Sequence, residues 1–101
     1  MAEFSIEAID DVIHGRVRLG VMAYLVNAEV AGFNELKSAL QVTQGNLSVH
    51  LRKLEEAGFV GIEKSFLGRK PHTQIRMTSA GREAFRAYLE ALDRLIKSAS
   101  R

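Results

Sequence analysis

Residues 33–60 read FNELKSALQVTQGNLSVHLRKLEEAGFV, and this stretch decides the fold. Apolar residues recur at helical spacing on both sides of a short segment, residues 41–43. Thr43 is a strong N-cap for the second of the two helices, and Gly58 follows where a left-handed residue would end it. Two helices joined by a turn of three or four residues form a helix-turn-helix, which we expect over residues 34–58.

The sequence on either side supplies the remaining elements. After the helix-turn-helix the apolar spacing becomes alternating, which predicts a β-hairpin, or wing, over residues 59–78. Its predicted tip, residues 67–72, reads LGRKPH and contains the one proline of the chain. Residues 16–27 are apolar on nearly every side, which is typical of a buried central helix. Further helices are predicted at the two ends, over residues 5–14 and 79–98.

These elements predict a mainly α protein with a small β-hairpin wing, an α+β class. The architecture is a winged helix-turn-helix, with a three-helix core plus N- and C-terminal helices. The 101 residues are enough for one domain, residues 1–101. The absence of cysteine excludes disulfides and thiolate metal sites. The N-terminus is acidic and no apolar run approaches the roughly 18 residues of a membrane span, so we expect a cytoplasmic protein with no membrane partner.

The charge is unevenly distributed along the chain. Residues 1–40 carry three bases and six acids, a net charge of −3, whereas residues 41–76 carry six bases and three acids, a net charge of +3. A positive middle segment in a nearly neutral domain favours a surface that faces a polyanion.

One side of the predicted recognition helix, residues 44–57, carries groups that can read DNA. Amides pair with adenine, arginine pairs with guanine, and a branched apolar side chain contacts the thymine methyl. Basic residues at the wing tip suit the flanking phosphates or the minor groove. His50, at the edge of the leucine stripe, is expected to pack at the boundary of the core. The candidate DNA-binding residues are Thr43, Gln44, Asn46, Ser48, Val49, Arg52, Lys53, Arg69 and Lys70.

The last helix carries a stripe with spacing close to 3-4-3, which suits packing against another helix. Part of this stripe could be covered by the helices of the same chain, and the remainder by a second copy. We therefore predict a homodimer built from both terminal helices, which would bind an inverted repeat with its reading helices ~34 Å apart. The candidate interface residues are Ile6, Ile9, Ile13, Phe85, Leu89, Leu92 and Ile96.

The chain resembles the small prokaryotic winged-helix regulators of the MarR/ArsR type, in particular the short single-domain winged-helix DNA-binding subgroup. The resemblance is carried by residues 33–60, with their Leu-Ser, His-Leu, Leu-Glu and Ala-Gly-Phe-Val groups, and by the sequence MTSAGRE at residues 77–83. It covers roughly residues 12–97 and implies a recognition helix in the major groove, a wing on its flank and a dimer. Metal sensing of the ArsR type is not implied, because it uses cysteines. An unidentified small-molecule effector stays open.

The function predicted from the sequence is sequence-specific binding of double-stranded DNA by a dimeric transcriptional repressor. The alternative is a winged-helix interaction module that docks an acidic protein partner. Enzymatic activity is not expected, because histidines at positions 14, 50 and 72 share no ligand spacing and no nucleophile motif is present. No catalytic residue, metal ligand or cofactor is predicted.

Overall fold

A computed structural model describes residues 5–100 of the chain. These residues form four helices and one three-stranded antiparallel sheet, which confirms the predicted α+β winged helix-turn-helix. In chain order the elements are α1 (Arg16–Ala28), β1 (Val30–Gly32), α2 (Phe33–Leu40), α3 (Gln44–Glu56), β2 (Val60–Leu67), β3 (Lys70–Met77) and α4 (Ser79–Ala99).

Helix α1 is the centre of the structure, as its apolar circumference predicts. It contacts each of the other three helices as well as strands β1 and β3. Its buried residues include Val21, Met22 and Leu25, none of which is exposed to solvent. The leucines at positions 47, 51 and 54 of α3 face the same core. No helix within residues 5–100 is long and apolar enough to cross a membrane.

The helices of the helix-turn-helix begin and end at or close to the predicted residues, and polar or glycine residues occupy these ends. The Thr43 hydroxyl accepts the Asn46 N–H at 3.1 Å and so caps α3. Gly58, with φ +83°, has the left-handed backbone expected after the end of that helix. Helix α2 starts slightly earlier than predicted, at Phe33, because the Glu35 carboxylate accepts the Gly32 N–H at 3.2 Å.

The sheet contains one strand more than the sequence predicted. Strand β1 is only three residues long and pairs with β3, so β3 is central in the order β1-β3-β2. The hairpin spans nearly the predicted residues, but its turn is shorter than expected, since Leu67 pairs with Lys70 and leaves only Gly68 and Arg69 in the turn. The predicted six-residue tip, residues 67–72, is therefore wrong, and its second half belongs to β3.

The predicted helix over residues 5–14 is also wrong. This segment consists of turns, in which the Asp10 carboxylate accepts the N–H groups of Val12 and Ile13 at 2.8 and 3.1 Å. A side chain thus takes the place of the carbonyls that a continuing helix would supply. The turns still bury Ile13 and Ile9 in the core, and His14 Nδ1 lies 2.9 Å from Tyr88 Oη of α4.

A compact joint connects α3, the start of the hairpin and α4. The Thr78 hydroxyl donates to the Gly58 carbonyl at 2.7 Å and accepts the Gly81 N–H at 2.9 Å. The Thr78 N–H donates to the Phe59 carbonyl at 3.1 Å. A Cβ at Gly81 would lie 2.0 Å from that carbonyl oxygen, so only glycine allows the first turn of α4 to approach this closely.

Candidate nucleic-acid interface

Helix α3 projects a continuous polar face away from the core. Every candidate residue on it is exposed, and the Val49 side chain, at 54% exposure, is one of the most exposed large apolar groups. Gly45 has open space around the position of a Cβ, so no residue in the described part of the chain packs against it. The Thr43 hydroxyl accepts the capping hydrogen bond, and its own proton is free to reach an external acceptor.

The basic residues of α3 and the hairpin are not neutralised by acids of the described chain. All ion pairs within residues 5–100 lie on α4, where Arg86 contacts Glu83 and Glu90 and where Lys97 lies 3.0 Å from Asp93. The guanidinium and ammonium groups that face outward from α3 and the wing are therefore available to an anionic partner.

A groove of about 540 Å³ separates α3 from the hairpin. It brings Gln44, Ser48 and Arg52 of α3 to the same cleft as Lys64 and Thr73 of the two long strands. Lys64 and Thr73 were not predicted as site residues. The signal that would have found Lys64 is the alternation along β2, which places it on the same side of the strand as Val60 and Ile62. The lining consists of Phe33, Gln44, Ser48, Leu51, Arg52, Glu55, Ile62, Lys64 and Thr73.

Glu55 is the acidic member of this lining. It lies in the fourth turn of α3, beyond the acid-free residues 44–53, and its carboxylate would repel a phosphate that came too deep into the groove. The basic groups in the third turn of α3 and on the hairpin thus favour an anion at the outer part of the interface.

His50 is half-buried, in keeping with the predicted boundary position, and it orients an arginine of α1. Arg18 Nη1 donates to His50 Nδ1 at 2.8 Å, and the same guanidinium also donates to the Val12 carbonyl. Burial and the positive charges of Arg18 and Lys53 lower the pKa of His50. The neutral imidazole can accept this bond, which links α3 to α1 and the N-terminal turns.

The wing presents both cations and apolar groups to solvent. Arg69 lies in the two-residue turn and Lys70 follows it at the start of β3, and both are exposed. Phe66 and Leu67, just before the turn, are exposed to 70% and 64%. Large apolar side chains at such a tip were not part of the predicted site.

The candidate dimer residues are distributed between the core and the surface. Ile9, Ile13 and Phe85 are buried in the chain's own core, and Leu92 is half-buried. The exposed members are Ile6, Leu89 and Ile96.

No group of three or more histidine, cysteine or acidic side chains capable of holding a metal ion occurs among residues 5–100.

A recognition helix with exposed polar groups lies beside a basic hairpin in this winged-helix fold. This arrangement defines the class of winged-helix DNA-binding proteins. Residues 17–96 match the model of the winged helix DNA-binding domain family, and the chain belongs to that family. The prediction of a small winged-helix regulator is thereby confirmed.

Individual proteins that are similar to this chain support the same assignment. The chain is 43% identical over 82 residues to an uncharacterized protein of Methanocaldococcus jannaschii, covering 81% of this chain and 89% of the relative. A transcriptional regulator homologue from Pyrococcus horikoshii OT3 superposes with a TM-score of 0.86 at 31% identity, over 94% of this chain and 95% of the other. A protein from Enterococcus faecalis V583, described as a transcriptional regulator of the MarR family, superposes with a TM-score of 0.73 at 27% identity, over 88% and 79%.

Proposed function

We propose that this protein is a sequence-specific transcriptional regulator that binds double-stranded DNA with α3 in the major groove and the wing on the flanking backbone. One observation carries the proposal: the first turns of α3, residues 44–53, are exposed on their outer side and contain two amides, a hydroxyl and two cations without any acid. This is the set of groups that distinguishes base pairs in the major groove.

Recognition and affinity are assigned to different residues. Gln44 and Asn46 suit adenine, Arg52 suits guanine, and Val49 suits the thymine methyl group. Ser48 can bond either to a base edge or to a phosphate. Lys53, Arg69 and Lys70 contact phosphates, so their contribution to affinity depends on salt and hardly on sequence.

The active form in this proposal is a homodimer that binds an inverted repeat. Leu89 and Ile96 of α4 remain 46% and 55% exposed in the monomer and lie on nearly the same side of the helix. A second copy packed there would cover both residues and place two reading helices about one DNA turn apart. A dimer occupying a promoter excludes polymerase by its volume, which makes repression the simplest outcome.

The proposal is tested by fluorescence anisotropy between about 50 and 300 mM salt. The duplexes are the DNA upstream of the protein's own gene, an unrelated fragment, and duplexes selected from a randomised pool. We expect tight binding that prefers one sequence and weakens steeply with salt. Weak binding that is equal on all duplexes would contradict the proposal and favour the alternative, a module that docks an acidic protein.

A further inference from the structure

The wing ends in an apolar pair that no part of the described chain covers. Phe66 is opposite Pro71 in the hairpin register, and both are exposed. Phe66 is the most exposed of the large hydrophobic residues in the described chain. A phenylalanine held in water at the end of a hairpin contributes little to the core, so its role is to be sought outside the monomer.

The geometry of the hairpin brings the side chains of this pair close together. Gly68 has φ +65° at the first of the two loop positions, which is the pattern of a type II′ turn. With a two-residue loop, the pair next to the turn, Leu67 and Lys70, is hydrogen-bonded, and the Phe66–Pro71 pair after it is not. Side chains of non-hydrogen-bonded pairs are the closest together. The proline at this position costs no hydrogen bond to β2, because the backbone nitrogen of residue 71 points away from that strand.

The pair lies on the same side of the hairpin as the groove next to α3. Alternation along β2 puts Phe66 on the side of Lys64, and Thr73, which is opposite Lys64, lies on the side of Pro71. Lys64 and Thr73 line the groove that also contains Arg52. A single face therefore runs from the recognition helix across the groove to the apolar pair, which lies about 7 Å beyond Lys64 at ~3.3 Å per residue.

The surroundings of the tip are positively charged. Residues 64–72 contain Lys64, Arg69 and Lys70 and no acid. Glu63, the nearest acid in the sequence, points to the other side of β2. An apolar pair framed by cations is complementary to the minor groove of DNA, where sugars and base edges lie between two rows of phosphates.

We propose that Phe66, backed by Pro71, is an apolar wedge that enters the minor groove next to the major-groove site and bends the duplex. This inference rests on the proposed DNA-binding function and assigns the wing a role beyond phosphate contact. A side chain inserted at a base step unstacks it partially and turns the DNA toward the major groove, so that more of the duplex reaches the protein. The wedge also makes flexible pyrimidine–purine steps the preferred flanking sequence, since they unstack most easily.

The test uses a selected duplex with a fluorophore at each end, so that energy transfer reports its bend while anisotropy reports binding. We expect the wild-type protein to shorten the end-to-end distance and Phe66→Ala to abolish most of this change. Phe66→Ala should weaken binding about tenfold, the equivalent of removing a buried aromatic contact. The slope of affinity against salt should stay unchanged, because no cation is removed.

Leu67→Ala is the matched control, since Leu67 is nearly as exposed and alternation puts it on the other side of the hairpin. It should bend and bind DNA as the wild type does, and circular dichroism checks that both variants are folded. If Phe66→Ala bends DNA like the wild type, or if Leu67→Ala loses the bend equally, the wedge is wrong while the DNA-binding function stands. If the wild-type protein binds no selected duplex, both the function and the wedge are wrong.

Discussion

Arg52 and Arg69 carry the same charge in different surroundings, and their replacement should have different effects. Arg52 lines the groove beside the reading face of α3, whereas Arg69 occupies the turn of the wing. We expect Arg52→Ala to cost about 1–3 kcal/mol on the preferred duplex and to relax the choice of base. Arg69→Ala should weaken all duplexes about equally and lower the salt slope by roughly one unit.

Anisotropy titrations on a preferred and a scrambled duplex, each over a range of salt, separate these two effects. Both side chains are exposed, so the folded state should survive either substitution. An exchange of the two phenotypes would contradict the division between recognition and affinity.

His50 should make the stability of the protein depend on pH. Its pKa is lowered in the folded state by burial and by the charges of Arg18 and Lys53, whereas in the unfolded chain it is about 6.5. The unfolded chain therefore takes up a proton at a higher pH than the folded protein does. The free energy of unfolding should keep this contribution above about pH 6.5 and lose it as the pH falls toward the folded pKa.

The measurement is urea unfolding at a series of pH values from about 7.5 down to 5 for the wild type and for His50→Asn. Asparagine offers Arg18 an acceptor and does not titrate, while the other two histidines are retained in both proteins. The wild type should lose stability relative to the variant as the pH falls. Parallel curves over this whole range would show that the Arg18–His50 bond does not set the pH response.

At the scale of the elements, the helices that local sequence signals determine could be predicted. Helix α3 follows from a capping threonine, regularly spaced leucines and a glycine at its end, and its exposed face follows from the same spacing. These signals lie within a few residues of the structure they specify. The fold class and the exposed side of the recognition helix could be derived from them.

The elements that sequence reasoning missed depend on distant partners. Strand β1 is three residues long and exists because β3 lies beside it. Ile6, Ile9 and Ile13 have helical spacing, but Asp10 takes up the N–H groups of the next turn. In the sequence Pro71 indicates a loop, yet it lies within β3, at a position where pairing with β2 requires no N–H. Lys64 joins the site only once the hairpin is folded against α3.

The joint between α3, the hairpin and α4 should tolerate no side chain at Gly81. A Cβ there would collide with the Phe59 backbone, which cannot move without breaking the Thr78 hydrogen bonds. We expect Gly81→Ala to lower the free energy of unfolding by about 1–3 kcal/mol, as overpacking in a fixed core does. Gly45→Ala is the matched control, because it has free space in α3 and should raise stability by up to about 1 kcal/mol.

Thermal or urea unfolding measures both variants. The sign of the two effects is the decisive quantity, since the substitution is chemically the same and only the surroundings differ. A neutral or stabilising Gly81→Ala would mean that α4 can move away from Phe59 at no cost.

At the scale of the whole molecule, the chain is elongated. Its radius of gyration is 15.2 Å, against about 13 Å for a typical compact domain of 100 residues, and its extents are 58 × 25 × 21 Å. Helix α4 alone, with 21 residues, is about 31 Å long. Such a helix exposes more apolar surface than one small core can cover, in agreement with the proposed dimer.

The double substitution Leu89→Glu and Ile96→Glu should convert the protein to a monomer, because two carboxylates per chain would be buried at the interface. Sedimentation equilibrium measures the mass, and anisotropy should show a loss of affinity for an inverted repeat that exceeds the loss for a single half-site. Ala87→Glu, on the opposite and exposed side of α4, is the control. A wild-type protein that is monomeric at micromolar concentrations would contradict the dimer.

The residues proposed to contact DNA are all exposed, and apart from Thr43, which also caps α3, they are not the residues that hold the fold together. Changes at Gln44, Asn46 or Val49 therefore alter what the surface recognises without opening cavities in the core. A library randomised at these three positions should consist largely of folded proteins. New operator preferences are then accessible through single substitutions at little cost in stability, which gives a lineage of such proteins a short path to divergence after gene duplication.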